Sequence, residues 1–310
     1  MVRVLSDYPP NTNQEELAKI LQEQVYNDRR AWIAFVRLLL LCLGIGFTVA
    51  GIVFFFAYNW AHLHKFIKFG LIFSLLLATT LFSCAAGFHQ TLRKGLLTGA
   101  AVLVGVLFAV FGQVYQTGAN AYDFFLAWTI FISSWVVLAG FPPLWLLYLL
   151  LLNTTLLYYA KQVANHWSDL LLYLLLLLIN TLFLIGATLL KNKGKSIPTW
   201  FTNIVALISI SIATVGIVTG IFSSFDPFFP ALLITGSLIY AAGIWYGLTA
   251  QSTFYLSIIP FSIIIVVSAL LLKWSDDHGM LLFVCLFIIG SSTLVIKNLL
   301  HLQKKWTNGN

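Results

Sequence analysis

The sequence has little charge. Asp, Glu, Lys and Arg make up 9% of its 310 residues, against about 25% in soluble globular domains, which excludes a water-facing surface over most of the chain. Acids are scarcest: beyond residue 30 there are only Asp123, Asp169, Asp226, Asp276 and Asp277. None stands in the middle of an apolar run. An ionisable group at the bilayer centre costs about 2.5 to 3.5 kcal/mol and is normally kept for function, so this lack counts against proton or sodium coupling through a midplane carboxylate. Cysteine is also sparse. Cys42, Cys84 and Cys285 fall in apolar runs at no zinc or thioredoxin spacing and are expected to be buried free thiols. The His-Glu-x-x-His metal motif is absent, and about thirty polar residues precede the first apolar run, so a cleavable signal peptide is not expected.

What the chain does have is apolar length: 60% of its residues are hydrophobic and its mean hydropathy is +0.93. A helix needs roughly 17 to 25 apolar residues to cross the hydrocarbon. Ten segments qualify, at 34–58, 67–87, 95–111, 124–140, 144–160, 168–190, 201–222, 228–248, 253–272 and 279–296. The fourth and fifth are parted only by "GFPP" (140–143), where two prolines end one helix and begin the next; a single broken helix there makes the count nine. The expected fold is an all-α polytopic membrane protein, a bundle of about ten transmembrane helices, and ten spans allow two inverted halves of five. A faint parallel between "FGQVYQTGANAYDFF" and "WYGLTAQSTFYL" (245–256) is the one internal trace of such a repeat. Before the first span, 11–32 has Asn13 as a helix cap and Leu17, Ile20, Leu21 and Val25 at helical spacing, an amphipathic helix. Three regions follow: 1–33 as the amphipathic segment, 34–160 as spans one to five, and 161–310 as spans six to ten with a short tail.

Basic residues orient the bundle. With the amino terminus in the cytoplasm, thirteen Lys and Arg lie inside and four, Lys65, Lys68, Lys161 and Lys273, lie outside. That bias places both termini in the cytoplasm and the protein in a bacterial cytoplasmic membrane. The net charge of +7 is then a topology and anionic-lipid signal, with no nucleic-acid partner implied. Membrane lipids are the expected partners, and a second copy of the chain or another membrane protein remains compatible.

On the outer side lies "GQVYQTGANAYD" (112–123), with no Lys or Arg. One reading is an ordered loop: Gly112 and Gly118 turn the chain, the amides satisfy helix ends, and the tyrosines and Trp128 join the interfacial aromatic belt. The other is a ligand site built from Gln113, Tyr115, Gln116, Asn120, Tyr122 and Asp123, with Asn59 and Trp60 beside it. Long amides, phenols and a carboxylate at a dry rim suit hydroxyls, amides or a sugar-phosphate headgroup. A lipid or lipid-linked envelope intermediate, bound, transported or flipped, is the favoured ligand, with no catalytic residue and no cofactor. Two alternatives stand beside it. His62, His64, Asp276, Asp277 and His278 can hold a divalent metal in an intramembrane hydrolase or transferase, or the cytoplasmic helix can make the protein an accessory subunit of a membrane complex.

"FFFAYNW" (54–60) and "GQVYQTGANAYDFFLAW" (112–128) together resemble the bacterial integral-membrane family called domain of unknown function 2157. The likeness rests on Asn59, Trp60, Gly112, Gln113, Tyr115, Gly118, Asp123 and Trp128, and covers roughly residues 15 to 160. In many relatives the acid directly follows the glycine, whereas "ANAY" stands between Gly118 and Asp123 here. The resemblance implies a topology and a site position, and carries no activity with it.

Deeper in the spans, Asn153, Thr154, Thr155, Asn180 and Thr181 are expected to hydrogen-bond between helices. Gly95, Gly99, Ala101, Gly105 and Ala109 put small residues at four-residue spacing for close packing. Pro260 frees the carbonyl of Leu256 and either hinges or curves the ninth span.

Overall fold

The computed structural model describes residues 32–33, 35–37, 39–40, 43–44, 47, 54, 58, 60–85, 87, 89–116, 118–223, 225–274 and 278–308. The amphipathic helix expected over 11–32 and most of the first apolar run therefore lie outside the described residues, as does Cys42. The chain divides into two compact units, Met1–Lys68 and Phe69–Asn310. In the first, every described residue from 32 to 58 is helical, and a 3-10 turn, Trp60–His62, follows. The Lys68 ammonium lies 5.3 Å from the centre of the Trp60 ring, a cation–π contact.

Nine long helices complete the described chain: α1 (Lys65–Cys84), α2 (Gln90–Tyr115), α3 (Ala121–Ala139), α4 (Pro142–Gln162), α5 (Asp169–Asn192), α6 (Thr199–Phe222), α7 (Phe229–Thr249), α8 (Thr253–Trp274) and α9 (His278–Asn308). Each contains a stretch long and apolar enough to cross a membrane, and the described residues include no strand. This is an all-α polytopic membrane protein. Several helices extend past the apolar runs that mark them, α2 by five residues at its start and α9 by twelve at its end, whereas α1 ends three residues short of its run. Hydropathy registers the hydrocarbon-crossing part alone, while backbone hydrogen bonding continues helices through the headgroup zone.

The "GFPP" segment is a hairpin between two helices. Gly140 ends α3 in the left-handed region at φ 52°, with its N–H bonded to the carbonyl of Val136. Pro142 and Pro143 then open α4, where a missing N–H leaves no bond unmade. Pro260, by contrast, sits inside α8, which runs unbroken around it.

Two apolar clusters hold the second unit together. Ala101 and Val104 of α2, Ile132 and Val136 of α3, and Leu144 and Leu151 of α4 form one. The other joins α5, α6, α7 and α8 through Leu177, Ile210, Ala213, Leu232, Tyr240 and Ile259. Leu149, Ala187, Phe201 and Val205 connect α4 to α5 and α6 between them. α6 is the most enclosed helix and packs on α4, α5, α7 and α8. Small residues make that approach possible: a Cβ on Gly220 would stand 2.2 Å from the Phe229 ring.

Most polar groups deep in the bundle are paired, as the sequence implies for several of them. Asn180 is wholly buried, and it exchanges amide hydrogen bonds with Asn153 across α4 and α5, at 2.7 and 3.2 Å. Each amide nitrogen also donates to the carbonyl four residues back. Thr129 and Thr155 meet at 3.4 Å, and the Thr214 and Tyr240 hydroxyls at 2.7 Å. Thr154 turns to its own helix, bonding the carbonyl of Leu150, and the buried hydroxyl of Thr181 has no partner among the described residues. The cysteines depart from expectation. Cys84 and Cys285 are free thiols but lie on the exposed flanks of their helices, because the outer faces of a bundle in lipid need to be as apolar as its core.

Candidate functional site: a cleft between α2 and α3

The ends of α2, α4, α6 and α8 and the starts of α3, α5 and α7 gather at one end of the second unit, tied by Tyr122 to Gln162, Tyr159 to Trp167, and Lys273 to Ile221. The polar motif stands at this end, and it begins inside a helix. Gly112, Gln113 and Tyr115 belong to the last turn of α2, so Gly112 does not turn the chain as expected. One glycine costs a helix about 1 kcal/mol, too little to stop α2 when flanking packing holds it. Here Tyr115 stacks on Phe69, ring centres 5.9 Å apart, and contacts Phe111 at 4.8 Å. The reversal falls instead on Gln116, at φ 45°, and on Gly118, at φ 62°, the latter a backbone state natural to glycine.

Asn120 then begins α3. Its backbone N–H donates to Oδ2 of Asp123 at 3.2 Å, one arm of a capping box, which uses a carboxylate to satisfy a donor that a helix start leaves open. The N–H of Tyr122 finds Oε1 of Gln162 at the end of α4, 2.9 Å away. The Tyr122 ring meets Tyr159 edge-on at 5.4 Å, and Tyr159 meets Trp167 in the same way at 5.5 Å. Gln162 was not among the residues the motif singled out. Its signal in the sequence is only a long amide closing a span, and its partner lies 40 positions away.

Trp128 is a packing residue. Its indole N–H donates to the carbonyl of Ala101 at 2.8 Å, with the ring laid on Gly105, where a Cβ would come within 2.5 Å of it. Of the small-residue series on α2, Ala101 and Gly105 make this contact, whereas Gly95 and Gly99 face open space.

Between α2 and α3 lies an open cleft of about 570 Å³, inside the ~300–1,000 Å³ range of small-molecule sites. Phe108, Phe111 and Phe124 line it, together with Gly112, Gln116 and Asp123. Two of the expected ligand residues, Gln116 and Asp123, thus border the same cavity. Gln113, Tyr115, Asn120 and Tyr122 do not line it; Asn120 and Tyr122 serve the start of α3. Asp123 divides its carboxylate, since the cap takes one oxygen and leaves the other available to a ligand.

Asn59 lies outside the described residues, and Trp60 belongs to the first unit. His62 and His64 are exposed. Asp276 and Asp277 lie outside the described residues, as does the side chain of His278. Among the described residues no three His, Cys, Asp or Glu side chains gather.

Residues 11–145 match the family described as "Predicted membrane protein (DUF2157)". The match contains the whole cleft and ends just inside α4. No curated protein and no solved structure matches the chain. Over that segment the chain is similar to the DUF2157 family, and the similarity and the cleft fall in the same part of the sequence.

Proposed function

We propose that this integral membrane protein binds the headgroup of a lipid or lipid-linked envelope intermediate in the α2–α3 cleft, on the external side of a bacterial cytoplasmic membrane. The observation that carries this reading is the composition of the cleft. Three phenylalanines give it an apolar wall, and Gln116 and Asp123 give it a neutral donor and acceptor and one carboxylate oxygen at the rim. A molecule with an apolar body and a hydroxyl- or amide-bearing head meets both. The position supports the same reading, because helix ends stand at headgroup depth and the cleft opens at such an end. The outward orientation is supported by the sequence, whose Lys and Arg divide thirteen to four between the two sides when the amino terminus is set in the cytoplasm. Binding is the core of the proposal, and transport or flipping would follow from it.

The test is native mass spectrometry of gently purified wild-type protein beside a Gln116→Ala/Asp123→Asn double variant. The asparagine keeps an oxygen for the Asn120 cap. The expected result is a defined adduct on the wild type that the variant loses. The same bulk lipids on both proteins would make the motif purely structural.

A further inference from the structure

A second cavity opens at the same end of the bundle, across the second unit from the cleft. It measures about 380 Å³ and is formed by the ends of α6 and α8 and the start of α7. Phe225, Phe229 and Leu270 supply its apolar lining, and Lys273 and Asp226 both border it. These two side chains carry opposite charge, and each is answered by backbone. The Asp226 carboxylate accepts the N–H of Phe228 at 2.8 Å, and the Lys273 ammonium donates to the carbonyl of Ile221. An ammonium has three donors and a carboxylate about four acceptor sites, so both retain capacity toward the cavity.

We propose that this cavity binds a zwitterionic phospholipid headgroup bearing a phosphate and a primary ammonium, as in phosphatidylethanolamine. Lys273 meets the phosphate and Asp226 the ammonium, while Phe225, Phe229 and Leu270 lie along the glycerol and the first acyl carbons. The chemistry of the site favours this class over a simple anion and over a choline headgroup. A phosphate alone leaves Asp226 facing a like charge, which disfavours it. A quaternary ammonium has no N–H to give the carboxylate, so a choline headgroup forgoes that charge-assisted bond. The flanking rings Phe225 and Trp274 are 98% and 85% exposed, as aromatic side chains at a headgroup boundary are. On the orientation expected from the sequence, Lys273 is also one of four basic residues assigned to this side.

The site shares no residue with the α2–α3 cleft, and its test stands apart from that of the proposed function. Purified full-length protein is equilibrated with mixed micelles of equal phosphatidylethanolamine, phosphatidylcholine and phosphatidylglycerol, and retained lipids are read by native mass spectrometry. One charge-assisted hydrogen bond predicts retention of the ethanolamine lipid by about tenfold over either competitor. Asp226→Asn should bring the ethanolamine and glycerol lipids to within about twofold of each other, and Lys273→Gln should lower retention of all three. Gln116→Ala/Asp123→Asn should leave the preference in place, which separates this site from the cleft. Equal retention of the three lipids by the wild type overturns the proposal without any variant, and so does a preference that survives Asp226→Asn in folded protein. Millimolar phosphoethanolamine binding in place of the lipid would assign the site to a soluble zwitterion and overturn the lipid assignment.

Discussion

The amide pair at the centre of the bundle and the cleft at its end are both polar interruptions of an apolar protein, and they are finished in opposite ways. Asn153 and Asn180 close on each other in a reciprocal pair and on the preceding helical turns. In hydrocarbon no water can answer an open donor, and this pair leaves neither amide nitrogen without an acceptor. At the α2–α3 cleft the helix starts are satisfied through Asp123 and Gln162, yet Gln116 and part of the Asp123 carboxylate still border open space. Depth separates the two: the inner pair orders helices, whereas the motif at the helix ends retains hydrogen-bonding capacity, which the proposed function would direct to a headgroup.

If that division holds, interior substitutions lower stability and leave ligand preference alone, and rim substitutions do the reverse. The largest effect is expected at Gly105. Gly105→Val forces a side chain into the Trp128 ring, and overpacking of this kind costs about 2 to 3 kcal/mol, seen as a large drop in the detergent unfolding temperature. Asn180→Leu comes next, at about 1 to 2 kcal/mol, because it strands the Asn153 amide. Adding Asn153→Leu should recover part of the loss, and a double-mutant cycle showing no coupling would break the account of the clamp. Gln162→Ala uncovers one donor at the start of α3 and should cost about 1 kcal/mol, as loss of a helix cap does. Gln116→Ala should change stability by no more than about 0.5 kcal/mol, as at ordinary surface positions, yet reduce the wild-type adduct in native mass spectra. A large stability loss at Gln116 would erase the distinction between the two regions.

The bundle was legible because hydrophobic length is a property of contiguous sequence. The prolines after Gly140 pointed to a hairpin and left a single broken helix open, and the left-handed Gly140 that ends α3 before Pro142 opens α4 decides for the hairpin. Contacts between distant positions were less accessible. The asparagine pair was foreseen as polar glue, but its mutual geometry comes from the register of α4 against α5. Trp128 looked like an interfacial aromatic, and only the approach of Gly105 makes it a packing residue with a backbone acceptor. The ordered-loop reading gave turns to both Gly112 and Gly118; Gly118 does lie at the reversal, whereas α2 runs on past Gly112 to Tyr115, which stacks on Phe69. Within the motif, Gln116 and Asp123 were named together with four residues that do not line the cleft, since composition marks a polar segment without telling which side chains look into a cavity. Gln162 showed only as a long amide closing a span, and nothing local in the sequence brings Asp226 and Lys273 to the border of one cavity.

The most direct test of the cleft is photo-crosslinking in intact membranes from two positions on α3. One is Phe124, which lines the cleft. The other is Ile130, 61% exposed on the outer flank. With a benzophenone amino acid at each, the account predicts that position 124 captures one lipid or lipid-linked species far above its abundance, while position 130 samples the bulk mixture. The same lipid profile at both positions would contradict it.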